Sequence, residues 1–254
     1  MIVAIIQARI GSKRLPGKAL KEVDGVPLLK YQIERVKKSR LLDRIVVATT
    51  RSDKDDVIDE FCRANHIECF RGPENDVLDR YFQCAKEYNA DTIVRLTSDC
   101  PLSDPDIIDA VIAYFQKESA DFAANTVPLE TATFPDGSDV EVFSMAALER
   151  AHREAKDDSD REHVTFYFWK NNHGFKNVQL RKKEDWSHYR FTVDYAEDFE
   201  VVVFIMRELK KRNLFGHLDE LIRIIDSNPQ IKAKNARYYS GIGWESDKKH
   251  GEGN

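Results

Sequence analysis

The first half of the chain alternates short apolar runs with amphipathic segments, and this rhythm constrains the fold more than any other feature. Runs rich in β-branched residues cover residues 2–6, 44–50, 67–70 and 91–97. Each is followed by apolar residues at helical spacing, over residues 27–38, 52–64, 76–88 and 98–117. Nearly continuous apolar strands are typical of parallel sheets covered on both faces. We therefore predict a doubly wound, mostly parallel α/β fold up to about residue 122, with ligands at the carboxyl ends of its strands.

The rhythm changes after residue 125, where strands and helices no longer alternate regularly. Strand patterns occur at residues 140–144, 175–182 and 189–194, and helical patterns at 145–155, 159–171, 197–212 and 218–225. No repeat or low-complexity linker separates the two halves, so we predict one domain over residues 1–228. Its parts are residues 1–124, an inserted α+β segment at 125–190, and closing elements at 191–228. Residues 229–254 are predicted to form a C-terminal tail that is frayed over 245–254.

Composition excludes several classes of protein. The 254 residues are 42% hydrophobic and 33% charged, which is typical of an ordinary globular protein. A net charge of −5 argues against a dedicated nucleic-acid binder. The four cysteines show no CxxC spacing, and reduced thiols indicate a cytoplasmic location. We see no signal peptide and no apolar run of the roughly 20 residues that a membrane helix needs, so we expect no membrane partner.

The loop at residues 8–18 joins a buried strand to an unusual set of residues: two glycines, a proline and four cations. Backbone N–H groups in a glycine turn, together with cations, suit a polyphosphate. The loop is not a Walker A motif, because five residues separate Gly11 from Gly17 and Ala19 follows Lys18. A basic surface loop is the alternative. It has no need of glycines and proline between its cations, so the phosphate-binding interpretation is favoured.

Two aspartates occupy positions suited to a metal ion. Asp99 follows the strand at 91–97, and Asp194 ends the strand predicted at 189–194. Mg²⁺ is commonly bound by one or two carboxylates together with water and substrate phosphates. Helix capping is the alternative for an aspartate after a strand; Asp104 is expected to cap a helix, and Asp53 and Asp198 are candidates. Asp99 and Asp194 lie several residues before their helices, which favours a shared Mg²⁺ site.

Six segments resemble, in chain order, the cytidylyltransferases that activate acidic sugars, and especially their spore-coat polysaccharide (SpsF-like) branch. The segments are QARIGSKRLPGKAL, RGPENDVLDRY, VRLTSDCPL, FPDGSDVEVF, DREHVT and FTVDYAEDFE. The resemblance covers about residues 1–228. It implies a GT-A-like nucleotidyltransferase fold, CTP as co-substrate, Mg²⁺ as cofactor and pyrophosphate as product. Ser138 departs from the branch, which usually has a bulky apolar residue there, and this bears on which sugar is activated.

The resemblance also implies individual roles. Arg9 and Lys18, with the metal ligands Asp99 and Asp194, would be the catalytic residues. Residues 1–124 would bind the nucleotide, with Arg71, Asp76 and Arg80 around the base and ribose. The full nucleotide-binding set would be Ala8, Arg9, Gly11, Ser12, Lys13, Lys18, Arg71, Asp76, Arg80 and Ser98. Residues 125–190 would bind the sugar and form a homodimer interface.

The sugar-binding segment has a physical interpretation of its own. Alternation predicts that Asp139 and Glu141 share one face of a strand near Asp136 and Gly137, where they could accept hydrogen bonds from sugar hydroxyls; a solvated edge strand is an equal alternative. Arg161 could hold a substrate carboxylate in a bidentate pair. His163, beside Glu162, could be a base, although a lone histidine near aromatic residues is more often structural and only geometry identifies a base. The aromatic residues 166–169 are expected in the core or a subunit contact.

These observations predict a cytidylyltransferase that transfers CMP from CTP to a small sugar acid of ulosonic or nonulosonic type, for surface polysaccharide synthesis. Two other classes stay open. A GT-A glycosyltransferase would need a DxD metal site after a central strand, whereas residues 98–100 read SDC and the DKD at 53–55 opens a helix. A non-catalytic nucleotide-binding module would not need two metal carboxylates. Release of pyrophosphate from CTP distinguishes the three.

Overall fold

The computed structural model describes residues 1–170 and 173–241. Its strands are β1 Ile2–Gln7, β2 Glu22–Val23, β3 Val26–Pro27, β4 Arg44–Thr50, β5 Glu68–Gly72, β6 Thr92–Thr97, β7 Phe122–Ala124, β8 Glu141–Ser144 and β9 Asn177–Gln179. Its helices are α1 Leu28–Val36, α2 Asp56–Ala64, α3 Val77–Glu87, α4 Pro105–Glu118, α5 Met145–Glu154, α6 Asp158–His163, α7 Phe166–Trp169, α8 Ala196–Arg212, α9 Leu218–Asp226 and α10 Pro229–Lys232. Short 3₁₀ turns lie at Lys18–Leu20, Asp53–Asp55 and Leu129–Thr131.

Seven strands form one sheet in the order β5-β4-β1-β6-β8-β7-β9. The first four are parallel, β8 is antiparallel to β6 and β7, and β9 is parallel to β7. Along β1, Ala4 and Ile6 pack into one hydrophobic cluster, and Val3 and Ile5 pack into a second. Both faces of the strand are therefore buried, which explains its continuous apolar sequence. The predicted doubly wound, mostly parallel α/β fold is confirmed.

The strand registers bring three polar segments to one edge of the sheet. Gln7 at the end of β1 is paired with Ala48 in β4 and Thr97 in β6. Because β8 is antiparallel, its first residue, Glu141, is paired with Arg95 near the end of β6. The loop after β1, the turn after β6 and the segment leading into β8 consequently meet at this edge.

Two elements in the second half differ from their predictions. The predicted helix at 159–171 is broken into α6 and α7 at Val164, which has φ 58° and ψ −63° and is spanned by a hydrogen bond from Thr165 N to His163 O. This is a γ-turn, a strained conformation for a β-branched residue. Residues 166–168 are buried in the core of their own chain, so they give no argument for a subunit contact. The homodimer stays a prediction, as does the cytoplasmic location.

The strand predicted at 189–194 is wrong apart from one bridge between Arg190 and Asp136. Its backbone hydrogen bonds run to two different loops: Phe191 N donates to Asp136 O at 2.7 Å, and Val193 N donates to Asp99 O at 2.8 Å. A segment that divides its hydrogen bonds in this way forms no ladder with a neighbouring strand. The strand predicted at 175–182 is shortened to β9.

The C-terminal residues that the structure describes are packed against the domain. Helix α10 lies against α8 and α9, and Asn235 is 5% exposed. The predicted fraying at 245–254 lies outside the described residues, and the division of the chain at 124, 190 and 228 stays a prediction. Within the described ranges, no helix has the length and apolar character that crossing a bilayer requires.

Candidate active site

The loop after β1 is closed and held at its base. Gly17 N donates to Ile10 O at 3.0 Å, and Gly17 has φ 70°, a left-handed conformation that glycine adopts at little cost. Ile10 N donates to Asp55 Oδ1 at 2.7 Å. The other oxygen of this buried aspartate accepts a hydrogen bond from Thr50 at the end of β4. No local sequence pattern indicates that Asp55 holds the loop, because its DKD setting indicates only a helix start.

The other backbone positions predicted to bind nucleotide lie at the same edge. Ala8 N donates to a backbone oxygen of β4 at 3.2 Å, and Ser98 N donates to the end of β1 at 3.0 Å. Ser12 N closes a tight turn onto the carbonyl of residue 10 at 2.8 Å. A Cβ atom built on Gly11 would meet nothing within 4 Å, so the loop is open on that side.

Lys18 lies between the two predicted metal ligands. Its Nζ is 2.9 Å from Asp99 Oδ2 and 2.8 Å from Asp194 Oδ1, and its side chain is 12% exposed. The aspartates are brought together by the backbone, since Val193 N and Thr192 Oγ1 both donate to Asp99 O, at 2.8 and 3.2 Å. The carboxylates therefore lie around one positive centre, although Asp194 does not end a strand.

The positive charge of Lys18 and the negative charges of the two aspartates stabilise each other. Burial acts to raise the pKa of Asp99 and of Asp194, but the Lys18 ammonium outweighs it and holds both pKa values below the usual range. Arg14 contributes at Asp194, because its guanidinium lies 2.9 Å from Oδ1 and 5.4 Å from the ring of Tyr195. Both carboxylates are thus anionic at neutral pH. Arg14 was among the loop cations in the sequence but had not been assigned to the site.

Arg190 is a buried arginine that contacts three aspartates, and sequence reasoning missed it. We call Arg190 with Asp136, Asp194 and Asp198 the Arg190 hub. Its guanidinium binds Asp136, lies 3.2 Å from Asp194 Oδ2, and donates to both oxygens of Asp198 at 2.9 and 3.1 Å. Asp198 also accepts the backbone N–H groups of Asp194 and Tyr195, each at 3.0 Å. The hub fixes both the side chain and the backbone of Asp194. Asp198 lies at the third position of α8, and Tyr195 is the N-cap.

The PDG turn packs directly against this group. Gly137 has φ 98°, and a Cβ atom there would lie 2.2 Å from Thr192 N, so only glycine fits. Ser138, which departs from the resembling branch, is buried and donates to Pro135 O at 2.7 Å. Its hydroxyl therefore closes the turn.

Asp139 lies beside the metal-ligand candidates. It accepts hydrogen bonds from Gly137 N at 2.7 Å and Thr126 Oγ1 at 2.8 Å. The sulfur of Cys100 is 3.6 Å from Asp99 Oδ1 and 3.8 Å from Asp139 Oδ2, which brings a further carboxyl group near the pair. Burial raises the pKa of Asp139 and also raises that of the Cys100 thiol, so Cys100 is not a ready nucleophile.

The predicted common strand face of Asp139 and Glu141 is wrong, because β8 begins only at Glu141. One Glu141 oxygen accepts a hydrogen bond from Thr165 at 2.8 Å, and the other forms an ion pair with Arg95. Asp136 is likewise engaged by the buried hub, and burial raises its pKa well above the usual value. These two acids therefore hold the site together, and Glu141 is buried, whereas Asp139 is half-buried and remains the more accessible acid for sugar hydroxyls.

Three cations in or near the loop form no ion pair among the described residues. Arg9 and Lys13 are exposed, and no ion pair involves either of them within residues 1–170 and 173–241. Arg80 is 2% exposed, and its Nη1 donates to Pro73 O at 2.6 Å. Its Nε has no hydrogen-bond partner among the described residues. Burial and the nearby charge of Arg9 lower the pKa of Arg80. This excess of positive charge suits an anion.

The remaining nucleotide candidates already have protein partners. Arg71 donates to two backbone carbonyls after β4, each at 2.9 Å, and pairs with Asp56 at 2.6 Å. Asp76 caps α3 by accepting a hydrogen bond from Asp79 N at 2.8 Å, and pairs with Arg161 at 2.6 Å. Both side chains support the edge of the sheet.

The predicted substrate-binding residues around α6 differ in the contacts that their side chains already make within the chain. Each guanidinium nitrogen of Arg161 has a protein partner: Asp76 for two of them and backbone carbonyls for the third. The expected bidentate pair with a substrate carboxylate would have to break these contacts. Glu162 is exposed, and the ring of His163 stacks on Phe166 with centroids 4.3 Å apart.

Asp99 and Asp194 fit a Mg²⁺ ion by their chemistry. Both are anionic oxygen donors, the ligands that Mg²⁺ prefers, and one ammonium group already bridges them. A cation that replaced Lys18 there would free the lysine for phosphate.

Comparison with known proteins agrees with this arrangement. The chain is 31% identical to the spore coat polysaccharide biosynthesis protein SpsF of Bacillus subtilis (strain 168) over 235 residues, 90% of this chain and 95% of that protein. It is 38% identical to the 3-deoxy-manno-octulosonate cytidylyltransferase of Geobacter metallireducens over 114 residues, 44% of this chain and 43% of that enzyme. The structure of a cytidylyltransferase from Leptospira borgpetersenii serovar Hardjo-bovis superposes with a TM-score of 0.84 at 35% identity, covering 94% and 98% of the two chains.

The Cytidylyltransferase family model matches residues 3–240. That span includes the loop after β1, the Lys18-bridged aspartates, the Arg190 hub and all of the described residues except 1, 2 and 241. With the matches to SpsF and to the solved cytidylyltransferase, it establishes that this chain belongs to the cytidylyltransferase family.

Proposed function

We propose that the protein transfers CMP from CTP to a sugar acid, with Mg²⁺ held by Asp99 and Asp194, and releases pyrophosphate. The observation that carries this proposal is the pair of anionic carboxylates on one lysine, beneath a loop whose Arg9 and Lys13 lack counterions among the described residues. A glycosyltransferase or a nucleotide sensor gives no reason for both features at one sheet edge.

In this proposal the loop binds the triphosphate. Arg9, Lys13 and Lys18 donate charge-assisted hydrogen bonds to its oxygens, which are the stronger class of hydrogen bond. Because Asp55 and Gly17 hold the loop in its closed shape, the cations are oriented before CTP arrives. Positive charge that is already in place stabilises the negative charge that develops on the leaving pyrophosphate.

The chemical step is an in-line displacement. A hydroxyl oxygen of the sugar forms a bond to the α-phosphorus and its proton passes to water. The bond from that phosphorus to the bridging oxygen breaks, and pyrophosphate leaves with the bonding electrons. Mg²⁺, when bound, supplies positive charge to the phosphate oxygens. The chain contributes position, by holding the phosphates near the sheet edge and the hydroxyl in line with them. None of this requires a covalent nucleophile.

The sugar acid is inferred from chemistry and from relatives. The names of two relatives refer to polysaccharide biosynthesis and to 3-deoxy-manno-octulosonate, which supports a role in surface polysaccharide synthesis. Of the predicted sugar-binding residues, Asp139 and His163 are our choice for contacts with hydroxyls. Asp136, Glu141 and Arg161 are committed to ion pairs within the chain.

The test is pyrophosphate release with each of the four nucleoside triphosphates, against a panel of 3-deoxy-manno-octulosonate, nonulosonic acids and matched neutral sugars. We expect release with CTP and an acidic sugar, and formation of the CMP-sugar. Asp99→Asn serves as the inactive control. Turnover of nucleotide sugars with release of a nucleotide in place of pyrophosphate would overturn the proposal in favour of a glycosyltransferase. Nucleotide binding without turnover on any sugar would favour a sensing module.

A further inference from the structure

The segment at residues 235–238, which matched no motif in the sequence, lies against the Arg190 hub. The amide Nδ2 of Asn235 donates to Arg190 O at 3.2 Å and to Asp198 Oδ1 at 3.0 Å. Asn235 is buried, so these hydrogen bonds are shielded from water. Asn235 thus contacts the backbone of Arg190 and the carboxylate of Asp198, the two residues that fix Asp194.

The same segment also contacts the residue that follows Asp194. The ring of Tyr238 stacks on that of Tyr195, with centroids 3.9 Å apart and an interplanar angle of 0°. Tyr238 Oη donates to Glu197 Oε2 at 3.1 Å, and Arg237 pairs with the other oxygen of Glu197. The start of α8 is therefore held from outside by two neighbouring residues.

We infer that Asn235 and Tyr238 are positioning residues for Asp194. Asn235 acts through Arg190 and Asp198, and Tyr238 acts through Tyr195. The inference rests on the proposed function, in which Asp194 is a Mg²⁺ ligand. It assigns the C-terminal segment to the reaction although neither residue touches the phosphate loop in any contact described above.

The physical reason is that Asp194 has no strand to hold it. Its side chain is placed by Arg14, Lys18 and Arg190, and Arg14 and Lys18 would turn to the triphosphate when CTP binds. Arg190 then remains as the fixed support of the carboxylate, together with the backbone contacts of Asp198. Removing residues that orient metal ligands typically costs about 10–100-fold in metal affinity or activity.

The experiment compares full-length Tyr238→Ala and Asn235→Ala with two matched controls. Tyr238→Phe keeps the stacked ring and loses only the hydroxyl, and Tyr239→Ala removes a neighbouring tyrosine that is 52% exposed. Two quantities are measured below the melting temperature of every variant: the Mg²⁺ concentration for half-maximal turnover, and the gain in CTP affinity on adding Mg²⁺, by calorimetry. We expect both alanine variants at 235 and 238 to need about 10–100-fold more Mg²⁺ and to lose most of the Mg²⁺-dependent gain, with both controls near wild type.

Three other outcomes would count against the inference, against one part of it, or against the proposed function. If the alanine variants lose turnover in proportion to folded protein but keep the wild-type Mg²⁺ dependence, the segment is only structural and the inference is overturned. Equal effects of Tyr238→Phe and Tyr238→Ala would overturn the part that rests on stacking. If Asp194→Asn itself keeps normal turnover and Mg²⁺ dependence, the failure lies with the proposed function, and this variant is therefore measured alongside.

Discussion

Lys18 Nζ donates a 2.8 Å hydrogen bond to Asp194 Oδ1, although 176 residues separate them in the sequence. The contact joins the loop after β1 to the closing segment of the domain. Since burial alone would lower the pKa of Lys18, the ammonium depends on Asp99 and Asp194, which raise that pKa. Lys18 and the two carboxylates therefore stabilise each other's charges, while the two carboxylates repel one another.

Lys18→Ala is expected to weaken CTP binding by about tenfold or more, because hydrogen bonds to charged groups contribute about 1.5–3 kcal/mol each. Calorimetric titration with CTP measures this loss. Lys37→Ala is the matched control, since Lys37 pairs only with Glu34 on the surface. Unchanged CTP affinity in Lys18→Ala would contradict the assignment of the loop to the triphosphate.

Gly137→Ala is expected to disrupt the site, because its Cβ would lie 2.2 Å from Thr192 N and 2.3 Å from the carbonyl carbon of Phe191. These backbone atoms belong to the segment whose Val193 N and Thr192 Oγ1 donate to Asp99 O, so the turn must move and turnover should fall along with stability. Gly25→Ala is the matched control, with φ 80° and open space around its Cβ. It should cost only about 1 kcal/mol for the left-handed conformation. Thermal unfolding and turnover of both variants check the prediction, and equal effects would refute the steric argument.

Asp109→Asn is expected to destabilise the fold by about 1–3 kcal/mol at neutral pH. Burial acts to raise the pKa of Asp109, but hydrogen bonds from Ser39, Arg40 and Leu41 outweigh it and hold the pKa below its usual value. A carboxyl group with a lowered folded pKa stabilises fully above its unfolded pKa of about 3.9, and the contribution is lost as pH falls through the folded value.

Urea unfolding from pH 7 to about pH 3 tests this sign. The difference in free energy of unfolding between wild type and Asp109→Asn should be constant down to about pH 5 and shrink below about pH 4. Asp53→Asn, at an exposed position, should stay within about 0.5 kcal/mol of wild type throughout. A difference that grows toward acid pH would show that the carboxylate is not the stabilising form.

Sequence patterns predicted the sheet and part of the candidate site, namely Asp99 and the loop cations, for reasons that can be stated. The strands of the first half are buried on both faces, so their composition alone distinguishes them from loops. Asp99 was predictable because it directly follows one of these strands. The loop cations were predictable because glycine and proline among charges are unusual after a buried strand.

The rest depends on contacts that sequence periodicity does not encode. Residues 190–193 look like a strand, yet their hydrogen bonds go to the PDG turn and to Asp99. Arg190 was not predictable, because Asp136 comes from a distant loop and the contacts with Asp194 and Asp198 depend on how the irregular chain turns into α8. The role of Tyr238 likewise cannot be predicted from local sequence, because its ring stacks on Tyr195 at the start of α8 only in the folded chain.

The paired aspartates carry the prediction on which the mechanism depends. Asp99→Asn and Asp194→Asn keep the size of each side chain but remove an anionic oxygen ligand of the kind that Mg²⁺ prefers. We expect turnover to fall by orders of magnitude in each variant, since the metal acts chiefly on the transition state. The double variant should be little worse than either single one, because residues that act as a unit are non-additive.

The capping alternative makes a different prediction, and Asp104 supplies the comparison within the same chain. Asp104 caps α4 by accepting a hydrogen bond from Asp106 N at 3.0 Å, whereas the N-cap of α8 is Tyr195 and not Asp194. Asp104 Oδ2 also accepts a buried hydrogen bond from Leu218 N at 2.8 Å. Asp104→Ala should therefore lose about 0.5–2 kcal/mol of stability for the cap and about 1–3 kcal/mol for the N–H left without an acceptor, with nearly normal turnover per folded molecule. Melting temperature and turnover are measured on all four variants. If the variants at 99 and 194 behave like the one at 104, with reduced stability and intact Mg²⁺-dependent turnover, the active site lies elsewhere; loss of turnover with a retained melting temperature places it between Lys18 and the two aspartates.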